Sequence, residues 1–450
     1  MKSRYSAAMN AAKGVGAMLI GGALCGGCAP GVEQASVNSP PVPKRDEDSQ
    51  RCHDFMTALV ADSSAAAERD FGAQMREQLP PPFLQTTWHG LQTRYGAFGS
   101  WRVAERDSLY GKDRFHLEVQ FANAKLNELV VFDSQHEIVG LFFAPAHSAS
   151  RVTSEPAAGA IQANEVEVSV GPYALRGTLL LPLNASSGAP VPGVVFVAGS
   201  GPSDRDETVH GMKPFRDLAR GLAARGIASL RFEKRTFAHP ESFKGNSVSV
   251  ESETIEDAIA AVAVLRARPE LDAQRLVVLG HSLGALLAPE IATRAGGVNA
   301  LVLLAAPGRP VPEIILEQLR AAHTLPETLS ALEAKVHALP GLPPNESLLG
   351  VPASYWQDLA KRDEFAAARA LARPVLLLRG TEDQQVAAVD QERWIQELTG
   401  HVPLESASLP GLSHLFTRQL TTDAPPPQVS NDAIERIAAF VHAQALKPSH

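Results

Sequence analysis

Gly280-His281-Ser282-Leu283-Gly284 stands directly after the apolar run Leu276-Val277-Val278-Leu279 and directly before Ala285-Leu286-Leu287-Ala288. A G-x-S-x-G pentapeptide between a strand and a helix forces a tight turn at the serine, and glycines two places to either side remove the Cβ atoms that would clash. The turn lifts the Ser282 hydroxyl above the sheet, at a helix N-terminus whose dipole favours developing negative charge. A serine hydroxyl attacks a carbonyl only once a base takes its proton. One known order of this constellation runs serine, acid, histidine. Leu376-Leu377-Leu378-Arg379-Gly380-Thr381-Glu382-Asp383 reads as a strand ending in a short acidic loop. Asp383, in G-x-x-D spacing from Gly380, is the expected acid, with the adjacent Glu382 as alternative. His414 follows an apparent last strand near residues 402–409, in a glycine-containing loop before the final helix, and is the expected base. His401 precedes that strand. An oxyanion hole needs two aligned backbone N–H groups. Leu283 supplies one, and the loop Ala198-Gly199-Ser200-Gly201-Pro202 the other, from Ser200 in preference to Gly199. These parts perform two-step acyl transfer and need no metal or organic cofactor.

The elements that must hold these residues are near-continuous apolar runs: Gly193-Val194-Val195-Phe196-Val197, Ala228-Ser229-Leu230-Arg231-Phe232, residues 276–279, Ala300-Leu301-Val302-Leu303-Leu304 and Val375-Leu376-Leu377-Leu378. Parallel strands covered on both faces read this way, and their alternation with helical stretches predicts a doubly wound, mostly parallel α/β sheet over residues 163–450. Alternating strands at 166–170 and 175–181 open it. Residues of about 308–373, rich in Leu and Pro with helical spacing, interrupt the strand rhythm and are expected to form a helical cap over the carboxyl edge of the sheet.

Ahead of this lies a smaller α+β domain, residues 51–144, and a polar linker, 145–162. Phe55, Leu59, Val60, Phe71, Met75 and Leu79 have helical spacing up to Pro80-Pro81-Pro82, and alternating strands follow at 115–121, 126–132 and 138–143. His89, His116 and His136 are scattered within it and form no catalytic set. Residues 29–50, rich in Pro, Ser and charge, read as a flexible tether. Lys2, Arg4 and Lys13 precede a short, Gly-rich apolar run, which makes 1–28 a signal peptide.

With 45% hydrophobic and 20% charged residues the 450-residue chain can bury two cores. Its net charge of -8 and lack of a basic block argue against nucleic acid. The three cysteines, Cys25, Cys28 and Cys52, build neither a disulfide framework nor a zinc site. Gly26-Gly27-Cys28 resembles a bacterial lipoprotein lipobox, which implies cleavage before a lipidated Cys28. Cys25 stands where Leu is usual, and Leu24 is one place early. Plain cleavage after Ala29 would place Pro30 beside the scissile bond. The expected location is the cell envelope or periplasm, with the membrane reached through that anchor alone; a plain secreted form is the alternative.

In order along the chain, Ala198-Gly199-Ser200-Gly201-Pro202, Asp204-Arg205-Asp206-Glu207, Lys213-Pro214-Phe215-Arg216-Asp217-Leu218-Ala219 and Lys234-Arg235-Thr236, with the Ser282 pentapeptide, resemble the α/β-hydrolase family. The likeness, from about residue 165 onward, is to bacterial serine esterases related to dienelactone and acyl-peptide hydrolases. It implies a carboxylic ester as the small-molecule substrate; peptidase or envelope acyl-transfer activity by the same triad is the alternative, and a non-catalytic binding module a third. Ala198 stands where the family usually has a His that braces the oxyanion loop, and Glu233 where it tends to have Asp. Residues 204–206 are expected to order that loop by Arg–carboxylate pairing or to touch substrate, and Lys234 and Arg235 to pair with loop carboxylates or bind substrate. Residues 51–144 resemble the cone-shaped nuclear-transport-factor type of domain found ahead of some such enzymes.

Overall fold

The computed structural model describes residues 47–78, 83–109, 112–145, 161–209, 211–243, 248–321, 326–418 and 427–444. These fall into two compact units, residues 47–145 and residues 161–444.

The first unit packs helices α1 (Glu47–Val60) and α2 (Phe83–Tyr95), with shorter turns between them, against an antiparallel meander of β1 (Phe98–Leu109), β2 (Lys112–Phe121), β3 (Lys125–Phe132) and β4 (Ile138–Pro145). Phe55, Met56 and Leu59 of α1 meet Phe115, Leu117, Val119 and Phe121 of β2 in its core. Cys52 is buried in the same core, and burial, with the charges of Glu128 and Asp48, pushes its thiol up to about 12. Two elements differ from the sequence expectation. A helix begins at Phe83, where the helical spacing of the sequence ends at the three prolines. A strand at Phe98–Leu109 precedes the expected three; it is the sheet edge, and its run Arg102-Val103-Ala104-Glu105-Arg106 is exposed, so it carries no alternating apolar signal.

The second unit contains β5 (Ile161–Val170), β6 (Tyr173–Pro182), β7 (Val191–Val197), β8 (Ala228–Phe232), β9 (Leu271–His281), β10 (Ala300–Leu304), a two-stranded hairpin of β11 (Ser347–Leu348) and β12 (Val351–Pro352), then β13 (Val375–Gly380) and β14 (Leu404–Leu409). Eight form one sheet in the order β14-β13-β10-β9-β7-β8-β6-β5. Every pairing from β8 to β14 is parallel, and the β5–β6 and β6–β8 pairings are antiparallel. β5 begins at Ile161, inside the expected linker; residues 161–165 pair with β6 at the sheet edge and are largely solvent-facing, so their pattern is mostly polar. β14 begins at Leu404 rather than Val402.

Alternate side chains of the buried strands feed two cores. Val195 and Val197 with Val278 meet Ala258, Ala261 and Leu265 of α4 (Glu256–Arg266) and Leu287 and Ile291 of α5 (Leu283–Ala295). Val194 and Phe196 with Val277 and Leu279 meet Phe215 and Leu218 of α3 (Pro214–Ala223) and Ile437 and Val441 of the C-terminal helix Asn431–Gln444. Helices thus cover both faces of the sheet, and strands buried on both faces lose the polar half of their alternation.

Between β10 and β13 the chain forms helices Val311–Ala321, Pro326–His337, Ala353–Leu359 and Glu364–Leu371 with the small hairpin. This cap packs Leu348, Tyr355 and Trp356 into the core that α4 and α5 line. Arg362 joins it to Glu290 of α5 at 2.5 Å.

Candidate active site

The carboxyl ends of β7, β9, β13 and β14 deliver the expected residues to one edge of the sheet. Ser282 follows β9 with φ 52° and ψ -120°, a left-handed conformation that costs a non-glycine residue roughly 1–3 kcal/mol. Close packing holds it there: a Cβ on Gly280 would lie 2.2 Å from the Gly284 carbonyl oxygen, and one on Gly284 would lie 2.2 Å from that of Val197. The Ser282 N–H donates to Leu304 O at 2.9 Å, which ties the turn to β10. Leu283 is the first residue of α5, where N–H groups have no partner within the helix.

His414 Nδ1 donates to Asp383 Oδ2 at 2.8 Å. Both side chains are buried. Asp383 Oδ1 accepts the N–H groups of Gln385 at 2.8 Å and Val386 at 3.0 Å. Burial pushes the Asp383 carboxyl up, but the His414 ring and these two N–H groups outweigh it, so the group sits below the usual carboxylate range. With Nδ1 carrying the proton, the neutral His414 ring leaves Nε2 free to accept one. Glu382 is exposed and accepts only the Thr381 hydroxyl, at 3.4 Å; His401 lies exposed in the turn before β14. The geometry therefore pairs His414 with Asp383 and with neither alternative.

The loop after β7 approaches the serine closely: a Cβ on Gly199 would lie 3.3 Å from Ser282 Cβ. Two carboxylates grip this loop on either side of Ser200. Glu207 Oε1 accepts the Gly199 N–H at 2.7 Å, and Glu253 Oε1 accepts the Gly201 N–H at 2.9 Å. Lys234 Nζ donates to Gly199 O at 2.8 Å and to Glu253 Oε1 at 2.9 Å. With the Gly199 N–H taken, Ser200 is the donor left in the loop. Glu207 holds a second contact that no local pattern announces. His281 Nδ1 donates to the same Glu207 oxygen at 2.9 Å, and His281 Nε2 donates to the His414 carbonyl at 3.0 Å. The two imidazole rings lie with centroids 4.6 Å apart, tilted 53° to one another. Burial disfavours charge on His281, yet Glu207, the His414 carbonyl and Asp383 together raise its pKa. Glu207 itself has φ 53°, and its Oε2 is buried without a hydrogen-bond partner among the described residues.

The charge run after the loop is consumed in pairing. Arg205 reaches Glu165 at 2.6 Å and Glu233 at 3.1 Å; Asp206 holds Arg231 and, at 3.1 Å, Lys213. Asp204 accepts the Asp206 and Thr208 N–H groups and the Thr208 hydroxyl. Arg235 is locked to Asp257 and Glu256. Each of these side chains is engaged by a partner within the protein. Ala198 brings no side chain to brace the loop, and Glu207, Lys234 and Glu253 do that work. Cys28 lies outside the described residues.

An eight-stranded, mostly parallel sheet flanked by helices, with a strained serine at one strand end and a paired histidine and aspartate at two others, defines a hydrolase class. Residues 174–424 match the model of the Alpha/beta hydrolase family. The chain belongs to that family. It is similar to Esterase EstD of Thermotoga maritima, with 34% identity over 368 residues, covering 80% of this chain and 86% of that protein. That length exceeds what residues 161–450 can supply, so the likeness extends into the first unit. Among solved structures it is similar to Est1E of Butyrivibrio proteoclasticus, at 16% identity and TM-score 0.44 over 63% of this chain and 99% of that one. A dienelactone hydrolase of Anabaena variabilis gives 19% identity and TM-score 0.39 over 64% of this chain and 96% of that one.

Proposed function

We propose that the second unit hydrolyses carboxylic esters through Ser282, His414 and Asp383 by way of an acyl-enzyme. The observation that carries this reading is the strained Ser282 turn at the sheet edge that also presents the buried His414–Asp383 pair. The 34% identity to Esterase EstD supports the ester as substrate class.

His414 Nε2 takes the Ser282 proton as the oxygen attacks the ester carbonyl. Charge moves onto the carbonyl oxygen, where the N–H groups of Leu283 and Ser200 receive it. Asp383, whose carboxyl stays ionised, fixes the His414 tautomer and stabilises the imidazolium. His414 then protonates the leaving alcohol, and a water, activated by the same ring, releases the acid and restores Ser282. Ser282→Ala is expected to lower kcat for p-nitrophenyl esters by about a millionfold and to abolish labelling by a fluorophosphonate. Preferred cleavage of aminoacyl anilides would turn the assignment to a peptidase, and near-normal ester turnover by the variant would overturn the triad.

We also propose export to the cell envelope through residues 1–28, with Cys28 as lipid-bearing N-terminus. The supporting features are the basic, then apolar, N-terminal segment and the small residues before Cys28. Metabolic labelling with a fatty acid is expected to mark the wild-type chain but not Cys28→Ser; equal labelling of both would defeat the anchor.

A further inference from the structure

The oxyanion loop is held from a direction that the triad does not explain. Glu253 sits in a single π-turn, Glu251–Ile255, that opens into α4. Its Oε1 takes the Gly201 N–H and Lys234, and its Oε2 takes the hydroxyl of Tyr355. Tyr355 belongs to the cap helix Ala353–Leu359 and is buried. A chain of contacts thus runs from the cap, through one carboxylate, to the backbone on both sides of Ser200. The same π-turn fastens the cap a second time: Glu251 binds Arg294 of α5 at 2.5 Å and Arg362 of the cap at 3.6 Å. π-turns interrupt regular helix geometry and recur at functional sites.

The need for such a brace follows from the loop. Gly201 has φ 81°, and three residues in a row around it, Gly199, Ser200 and Gly201, have little steric constraint of their own. An oxyanion donor must stand 2.7–3.1 Å from where the charge develops, and misplacement by about 1 Å costs on the order of a hundredfold in rate. Holding Gly199 N, Gly199 O and Gly201 N fixes both peptides that flank the Ser200 N–H.

We propose that Tyr355 and Glu253 are positioning residues through which the cap sets the oxyanion donor of Ser200. The cap then acts on turnover, beyond any selection of substrate. The inference rests on the acyl-transfer reading of Ser282, and its test separates the two.

Steady-state hydrolysis of p-nitrophenyl acetate by the full chain is compared with the affinity of a trifluoromethyl ketone, which forms an oxyanion adduct with an active serine. Tyr355→Phe, which removes only the hydroxyl, is expected to lower kcat roughly tenfold with KM changed less than twofold. Ketone affinity falls by the same factor. Glu253→Gln keeps an acceptor for Gly201 and Lys234 and is expected to retain most activity, whereas Glu253→Ala loses at least as much as Tyr355→Phe. Labelling by a fluorophosphonate persists in every variant that folds. A rise in KM alone, or kcat and ketone affinity both unchanged in Tyr355→Phe and in Glu253→Ala, overturns the proposal. An inactive, unlabelled wild-type chain would instead strike the reading of Ser282.

Discussion

Asp383, Glu207 and Glu253 in the second unit and Glu128 in the first are all buried carboxyls, and their surroundings are opposites. Asp383 accepts from His414 and two backbone N–H groups, Glu207 from His281 and Gly199, and Glu253 from Gly201, Lys234 and Tyr355. Neither oxygen of Glu128 has a hydrogen-bond partner among the described residues. Burial presses on Asp383 and Glu128 alike, yet Asp383 is held below the usual carboxylate range, whereas Glu128 is pushed well above it. Between these two, the donors decide the sign. Asp383, met by the His414 ring and two backbone N–H groups, is held towards its charged form, and Glu128, set among apolar side chains, towards its protonated one. Burial of an acid is therefore, by itself, a poor marker of function.

The largest effect on this contrast should come from Glu207. Its oxygen and the His414 carbonyl are two acceptors facing the two nitrogens of one ring, so both bonds need the doubly protonated His281. His281 has a folded pKa above its unfolded value. Its stabilising contribution is complete below the unfolded value of about 6.5 and is lost as pH rises through the folded one. Glu207→Gln keeps the shape but removes the charge, and breaking a buried pair costs about 3–5 kcal/mol. The variant is expected to melt lower at neutral pH. It should also show a smaller decline in Tm between neutral and alkaline pH, since the stabilised proton is already gone. Ester kcat is expected to fall with Tm, because His281 links the serine turn to the His414 loop. Superimposable Tm profiles for the two chains would show that the pair is no more than packing.

What could be read from sequence follows the same division. Ser282 is visible because glycine spacing and an apolar run are local signals, and Asp383 and His414 because chain order constrains them. The strands of the sheet are visible because burial on both faces removes their polar half. Glu207, Glu253 and Tyr355 carry no local signal of their roles, because their partners are distant: Glu253 meets Gly201 across 52 positions and Tyr355 across 102. Glu207 stands beside Asp204-Arg205-Asp206, but only the fold shows that Arg205 and Asp206 pair with side chains of the sheet while Glu207 turns inward with a positive φ. The edge strand Phe98–Leu109 was hidden for the complementary reason, since an edge that buries little writes little pattern. His281 shows how a motif can conceal a role: it occupies the variable position of the pentapeptide, yet it is hydrogen-bonded at both nitrogens.

The smallest effect concerns Glu128, and it has the opposite sign. The residue occupies an inward position of β3 between Leu126 and Val130, where the alternation calls for an apolar side chain. Its folded pKa is raised, so the native state keeps a proton that the unfolded chain releases above about pH 4.3. Stability of the first unit therefore falls as pH rises above that value, by about 1.4 kcal/mol per pH unit while the two states differ by one proton. Glu128→Leu removes both the burial cost and the pH dependence and is expected to stabilise the unit by about 1–2 kcal/mol at neutral pH. Hydrogen exchange of the β3 amides in the intact chain reads that unit alone, at pH 5 and pH 8. Protection should rise in the variant, and rise more at pH 8. Glu128→Gln guards against a misfitting leucine, since an amide cannot ionise and should flatten the pH dependence without changing the volume. If both variants exchange faster than the wild-type chain at both pH values, then Glu128 has a partner that sustains its charge, and the contrast with Asp383 dissolves.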